Sequence, residues 1–418
     1  MKINFKNKND LAAILFLTSI FTLPRTYIFI KLFFLFLYFM VFFNKLLKDK
    51  IVYVNRKIFI FYGIIILLGI IWSAVGFING GSSKGIVDNF RLWVIWSICF
   101  IILDIMFLKH NSFVIFHTSV VLSGILISII NIIGFCDLFY GLNIIPESIL
   151  TEMDLRLGIH EGYMHITTEN ITSLFFIVPY LIALQFRTDG ISLNNWLVKT
   201  SLFLTFSLAL FSGRRALWIC ILLTPIFILG CSFVLNGVKQ VKLRYRRFSI
   251  SFILISIFFL IFIFSNDNFN FPTISHLKEA FSAEDERSIQ KRFLIDSFFD
   301  YPVFGSGFGV GAGYQRSETR IWLYELTYHQ LLFNFGIVGI LIIAILYLTY
   351  LYLIIKNIKY NKPNDLIPFC ILIGIVSFAI GAYSNPYFGS FDFLIYISMV
   401  PYLASFKISK EKLTGGVY

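Results

Sequence analysis

Long apolar runs separated by short polar breaks dominate the chain, and a helix of about 20 apolar residues is enough to cross a bilayer. Runs of this kind fall at 11–24, 27–43, 58–78, 91–108, 113–135, 170–186, 196–212, 215–235, 248–265, 330–355, 366–384 and 390–406. The pattern predicts an all-α polytopic membrane protein with about twelve transmembrane helices. The first run is short, and 91–108 carries Asp104. Two polar stretches, 136–169 and 266–329, are too long to be turns. They divide the chain into N-terminal transmembrane helices (1–135), a first loop (136–169), a second group of transmembrane helices (170–265), a large loop with short amphipathic helices before the tenth span (266–329), and C-terminal helices with a tail (330–418).

Composition agrees with a bilayer as solvent. Hydrophobic residues make up 58% of the 418 positions and charged residues only 14%, against roughly 25% charged in a soluble domain. The formal net charge of +12 first raises the question of nucleic acid, but the placement of the charges answers it. With both termini in the cytoplasm, the basic clusters at Lys45–Lys57, Lys239–Arg247, Lys356–Lys362 and Lys407–Lys412 all fall on the inner side. Short basic loops retained in the cytoplasm are the ordinary topogenic signal. The excess charge is therefore a topology signal, and no nucleic-acid partner is implied. The five cysteines show no metal or disulfide spacing and read as small core residues. The polar, basic start of the chain leads directly into spans, so no cleavable leader is expected.

On this topology both long loops face outward, and some cations break the rule by lying there. Arg214 and Arg215 sit in a turn, Ser212-Gly213-Arg214-Arg215-Ala216, at the outer end of two spans. Arg156 lies in the first loop, and Arg287, Lys291, Arg292, Arg316 and Arg320 in the second. Such a cluster suits an anionic, lipid-tailed ligand, because guanidinium binds phosphate through two parallel hydrogen bonds and keeps its charge. A second reading also fits Arg214 and Arg215, which can snorkel to lipid headgroups. Ser282 can cap a helix over 283–300, on which Arg287 and Lys291 share a face four residues apart. That like-charge pair is unfavourable unless an anion lies between them. Arg292 has Asp296 four residues on, which gives it an ordinary surface ion pair, and Arg316 and Arg320 bracket Glu318 in what can be a solvated loop.

His329 is the imidazole at the boundary between the large loop and the next span, preceded by Tyr328. It can serve as a proton acceptor or as a structural hydrogen-bonding residue. His160 and His165, on either side of Glu161, lack zinc spacing, and no metal or other cofactor is expected. Gly305-Ser306-Gly307-Phe308-Gly309 has dinucleotide-like spacing without the strand and helix that such a site needs, and is expected instead to form a pliable turn beside the site.

Three of these pieces together resemble the O-antigen polymerase and O-antigen ligase superfamily of bacterial inner membranes. The turn 212–216 is similar to that family's short Ser-Arg-Gly/Ala element, with Arg215 at its key arginine. Arg287 through Asp300-Tyr301-Pro302-Val303-Phe304-Gly305-Ser306-Gly307 resembles its arginine, amphipathic helix, Pro and Gly-x-Gly stretch. Tyr328-His329-Gln330-Leu331 with Phe335-Gly336-Ile337-Val338-Gly339 resembles the element that opens the following span. Arg156-Leu157-Gly158 and Ser384-Asn385-Pro386-Tyr387 are weaker matches, and Arg214 stands where many relatives have Ser. The likeness covers 204–345; the N-terminal spans match only in being hydrophobic.

The resemblance implies a metal-independent, inverting glycosyltransferase of the inner membrane with its site toward the periplasm. Its substrates would be oligosaccharides linked to undecaprenyl pyrophosphate. Arg215 and Arg287 would neutralise the pyrophosphate leaving group and His329 would be the general base. Arg214, Arg156, Lys291, Arg292, Tyr328 and Asn385 would bind substrate. A polymerase, working with a flippase and a chain-length regulator, is the first expectation. A ligase that transfers the glycan to lipid A–core, or a flippase for the same lipid-linked sugars, is the alternative, and a structural membrane component without activity is the least favoured reading. The longest loop lies outside and late in the chain, and no internal repeat is visible, which counts against a transporter.

Overall fold

The computed structural model describes residues 8–49, 55–108, 112–160, 163–185, 195–234, 286–314, 320–360, 367–384, 386–387 and 391–405. It is a bundle of apolar helices: α1 (Lys8–Thr22), α2 (Ile28–Asp49), α3 (Arg56–Ile78), α4 (Ser83–Phe90), α5 (Trp96–Leu108), α6 (Ser112–Tyr140), α7 (Glu147–Glu152), α8 (Leu174–Gln185), α9 (Asn195–Phe211), α10 (Arg215–Val234), α11 (Glu286–Asp300), α12 (Thr327–Tyr360), α13 (Ile367–Gly381) and α14 (Phe391–Ser405). Four stretches are long and apolar enough to cross a membrane: Arg56–Ile78, Ser83–Asp104, Phe113–Tyr140 and Thr327–Lys359. Shorter apolar helices occupy the other expected spans, except 248–265, which lies outside the described residues.

Two departures from the expected elements are instructive. Helix α4 runs through a π turn (Arg91–Ile95) into α5, so the fourth helix starts at Ser83, ahead of the expected 91. The polar residues of 83–91 mask its amphipathic turns from a hydropathy reading. The chain is also not purely α. Strands β1 (Arg156–His160) and β2 (Tyr163–Thr167) pair antiparallel in the first loop. Leu157 stands opposite Ile166, and both pack on the main core, so a period-two alternation buries one face of the hairpin.

The loops sort to two ends of the bundle. At one end Arg25, between α1 and α2, donates from Nη2 to Pro386 O at 3.3 Å, and Asn79, after α3, donates to Ser306 O at 3.0 Å. At the other end Asn55 and Lys57 donate to Ser405 O and Ala404 O, and Asn357 donates to Leu403 O and Ala404 O. The described parts of both long polar loops belong to the first end, and Lys57, from an expected basic connection, belongs to the second. Between them lies one large aromatic-rich core, in which Phe176 stacks on Tyr396 with ring centroids 3.9 Å apart. Asp104 is wholly buried there and accepts the Tyr62 hydroxyl at 3.1 Å, which accounts for a carboxyl group inside an apolar run.

Candidate functional site

The first end is shaped by a break in α12. Gly336 has φ 62° and ψ −171°, which divides α12 into a short helix with His329 and a longer one. That conformation is essentially confined to glycine. A break leaves carbonyls at one helix end and amides at the next without intrahelical partners. The segment Tyr301–Gly309 supplies them. Ser306 N donates to Phe333 O at 2.9 Å and Gly307 N to Asn334 O at 3.0 Å, while Ile337 N and Val338 N donate to Pro302 O and Val303 O at 3.0 Å each. The same segment reaches α3 and α4, through Phe308 N to Trp72 O at 3.1 Å and Ser82 N to Gly309 O at 2.9 Å. Gly305, Gly307 and Gly309 all have positive φ, and a Cβ on Gly307 would overlap the backbone of Gly76. The expected pliable turn is thus a clamped strap. Its glycines allow close approach, and its amides are committed.

His329 emerges beside this clamp. Its ring lies 5.9 Å from the Tyr383 ring, and its Nδ1 is buried without a hydrogen-bond partner. Tyr328 donates its hydroxyl to Ala379 O at the end of α13. Lys291 on α11 is near enough to act electrostatically on His329. Helix α11 is docked by Leu294, which joins Ala312, Tyr324, Leu326 and Phe333 in a small second core. Burial raises the Tyr324 phenol above its ordinary pKa, and its oxygen accepts the Ala312 amide.

Arg287, one turn before Lys291, does not stand alone. Its Nε lies 2.9 Å from Glu325 Oε2, and the Glu325 amide donates to Gln290 Oε1 at 3.1 Å. Gln290 is fully buried, and its Nε2 has no hydrogen-bond partner. Tyr314 donates to Glu286 Oε1 at 2.7 Å, which ties the start of α11 to the loop. Arg292, Asp296 and Arg320 are exposed. Ser282, Arg316 and Glu318 lie outside the described residues.

The turn before α10 is built from its own backbone and Ser212. Gly213 has φ 63°, with the His165 side chain of β2 packed where its Cβ would be. Arg214 O caps α10 by accepting Leu217 N at 2.9 Å. The Arg214 side chain reaches the segment after α13, where its Nη1 donates to the Tyr387 hydroxyl at 3.0 Å, while its Nε is buried without a hydrogen-bond partner. Burial raises the Tyr387 phenol above its ordinary pKa against the pull of Arg214 and Arg25, so it remains protonated at neutral pH. The side chain of Arg215 and residue Asn385 lie outside the described residues. Arg156 is solvent-exposed and pairs with Asp154 in its own loop.

The structure thus joins Arg287, Lys291, Tyr328 and His329 on one side, and carries Arg214 to the same short connection, 382–387, on which Tyr383 meets His329. Arg156 is exposed and paired locally with Asp154, and no contact joins it to these residues among those described. Among the described residues no group of three or more His, Cys, Asp and Glu could hold a metal ion. Sequence reasoning missed Glu325, Tyr383 and Arg25. Glu325 carried a usable signal, an acidic residue shortly before a cationic span boundary; Tyr383 and Arg25 carried none. Compared with models of known families, with curated proteins and with solved structures, the chain matches none.

Proposed function

We propose that this membrane protein is a glycosyltransferase acting on lipid-linked glycans, in the first instance a surface-polysaccharide (O-antigen) polymerase of the bacterial inner membrane. The observation that carries the reading is the placement at one end of an apolar bundle of His329, beside Tyr383 and within electrostatic range of Lys291, and of Arg214, held by Tyr387 four residues on from Tyr383. A buried nitrogen without a partner costs on the order of 1–3 kcal/mol. His329 Nδ1 and Arg214 Nε, one able to accept a proton and one obliged to donate, are such atoms at the same end. An acceptor sugar hydroxyl and a pyrophosphate oxygen would satisfy them in that order.

In the proposed reaction the acceptor hydroxyl oxygen attacks the anomeric carbon of the donor as His329 takes its proton. The bond from that carbon to the pyrophosphate oxygen breaks, and the leaving group departs with the electron pair. Arg214, Arg215 and Arg287 neutralise the charge that grows on it, which lowers the barrier because the donors are already in place. Attack opposite the leaving group inverts the anomeric centre. The site end faces the periplasm, where lipid-linked repeats, a flippase and a chain-length regulator are the expected partners. A ligase would use the same residues with lipid A–core as acceptor.

The test is purified protein in liposomes with polyprenyl-pyrophosphate-linked repeat units, followed by chain length on a gel. A ladder supports the polymerase, and product only when lipid A–core is supplied supports the ligase. Movement of the donor across the bilayer without longer product overturns the enzyme reading in favour of a transporter.

A further inference from the structure

Arg25, in the turn between α1 and α2, has no role in the reaction described above. Its guanidinium carbon lies 6.0 Å from the centre of the Tyr387 ring, whose hydroxyl accepts Arg214 Nη1 at 3.0 Å. One phenol therefore meets two guanidinium groups, one over its face and one at its oxygen. Carboxylates are present as well. Glu169 lies within electrostatic range of both Arg25 and Lys31, and Asp392 within range of Lys31. Asp392 already accepts the Thr172 and Ser173 hydroxyls at 3.0 Å each. Asp154 also lies within electrostatic range of Glu169 and is itself paired with Arg156. Arg25 is exposed, whereas Arg214 Nε is buried without a hydrogen-bond partner, a donor that an oxygen of an anion would satisfy.

Next to Lys31 the bundle is hollow. A cavity of about 380 Å³ lies between α1, α2, α5 and α14, walled by Phe16, Leu32, Leu35, Phe39, Phe100 and Leu103, with Lys31 also lining it. Its wall along α2 runs from Ile28 to Phe39. At 1.5 Å per residue that is about 16 Å, roughly half of a 30 Å hydrocarbon core. The cavity thus has the depth of one leaflet and begins at the end that carries Arg25 and Arg214. The outer flank of α2 exposes Phe29, Phe33 and Phe43, as a helix in contact with lipid does.

The geometry points to a single ligand site for an anionic lipid, with phosphate oxygens between Arg25 and Arg214 and a hydrocarbon chain descending beside Lys31 between α2 and α5. It rests on the glycosyl-transfer reading and locates the anchor of the lipid-linked donor, a polyprenyl pyrophosphate. Arg25 is then a binding residue for the leaving group, and Leu35 and Phe39 contact the chain.

Binding of farnesyl pyrophosphate, inorganic pyrophosphate and phosphatidylglycerol to the purified protein in detergent tests the site. Arg25→Ala is expected to weaken both pyrophosphates at least tenfold, and Leu35→Trp, which fills the cavity, to weaken farnesyl pyrophosphate alone. Unchanged binding in either variant overturns the site, and tighter binding of phosphatidylglycerol than of farnesyl pyrophosphate overturns its assignment to the donor. A farnesyl pyrophosphate with a photoreactive tail gives a test on the unaltered protein: crosslinks should map to α2 or α5, and crosslinks confined to other helices refute the cavity. Chain-length assays separate the two proposals. Arg25-dependent binding without any polymer keeps the site and rejects the polymerase, whereas a full ladder from Arg25→Ala keeps the polymerase and rejects the site.

Discussion

Gly305 and Gly336 meet backbone against backbone: a Cβ on either residue would overlap the other's amide nitrogen. The contact locks the strap to the break in α12 and fixes the height at which His329 leaves the bundle. Gly336→Ala must occupy a φ of 62° and displace the strap together. Residues forced into such regions cost of order 1–3 kcal/mol before any clash is counted. Gly305→Ala and Gly336→Ala are expected to lower the thermal midpoint of the detergent-solubilised protein by several degrees and to abolish polymer formation. Gly63→Ala, where a Cβ meets nothing within 4 Å, is the control and should leave both unchanged.

His329→Ala should remove polymerisation while leaving expression, membrane insertion and donor binding near wild type. His329→Gln keeps a polar group but cannot take the proton, and should fail equally. General-base catalysis is worth about 10²–10⁴-fold, so single-turnover rates should fall by that much. A Gln variant with most of the wild-type rate would assign His329 a structural role.

Arg214→Lys keeps the charge but loses the planar fork that reaches Tyr387 while leaving Nε for a ligand. Donor affinity and rate should both drop, and Arg287→Lys should behave likewise. Arg292→Lys should be mild, because an exposed cation tolerates the exchange. Equal tolerance at all three positions would favour headgroup contacts over pyrophosphate binding.

Glu325→Gln removes the carboxylate that holds Arg287 Nε. If the pair positions Arg287, the rate should fall without loss of the folded protein, and combining it with Arg287→Lys should cost less than the two separate effects added. Strict additivity would show that the two residues act independently.

In a cysteine-free background, Thr151→Cys in the first loop should react with an impermeant thiol reagent in spheroplasts, and Lys359→Cys at the other end of α12 should not. The reverse labelling would turn the whole site toward the cytoplasm and end the glycosyl-transfer proposal.

Hydropathy located the described helices well because a run of apolar residues needs little context to be recognised. The break at Gly336 was not legible, since Leu331 to Ile345 is almost uniformly apolar and one glycine there carries no periodic signal. The clamp on it depends on amides far away in sequence, which composition cannot reveal. The His329 and Arg287 region was readable because polar residues at span boundaries stand out against their surroundings. Arg25 was not, because a single arginine in a tight turn looks like any interfacial anchor until Tyr387 is folded against it. The contact of Arg214 with Tyr387 was likewise not legible, because the two residues lie far apart in the chain.

The strap also sets an order of events during synthesis. The carbonyl of Trp72 and the amide of Ser82 meet partners at Phe308 and Gly309, more than 200 residues later in the chain. When α3 and α4 first enter the membrane, those groups must be satisfied by water or headgroups. The end of the early helices that the strap covers therefore stays open until the last third of the chain arrives. Assembly of this end is then a late closing step, separate from insertion, and a ribosome stalled before residue 301 would leave a membrane-embedded but unsealed intermediate.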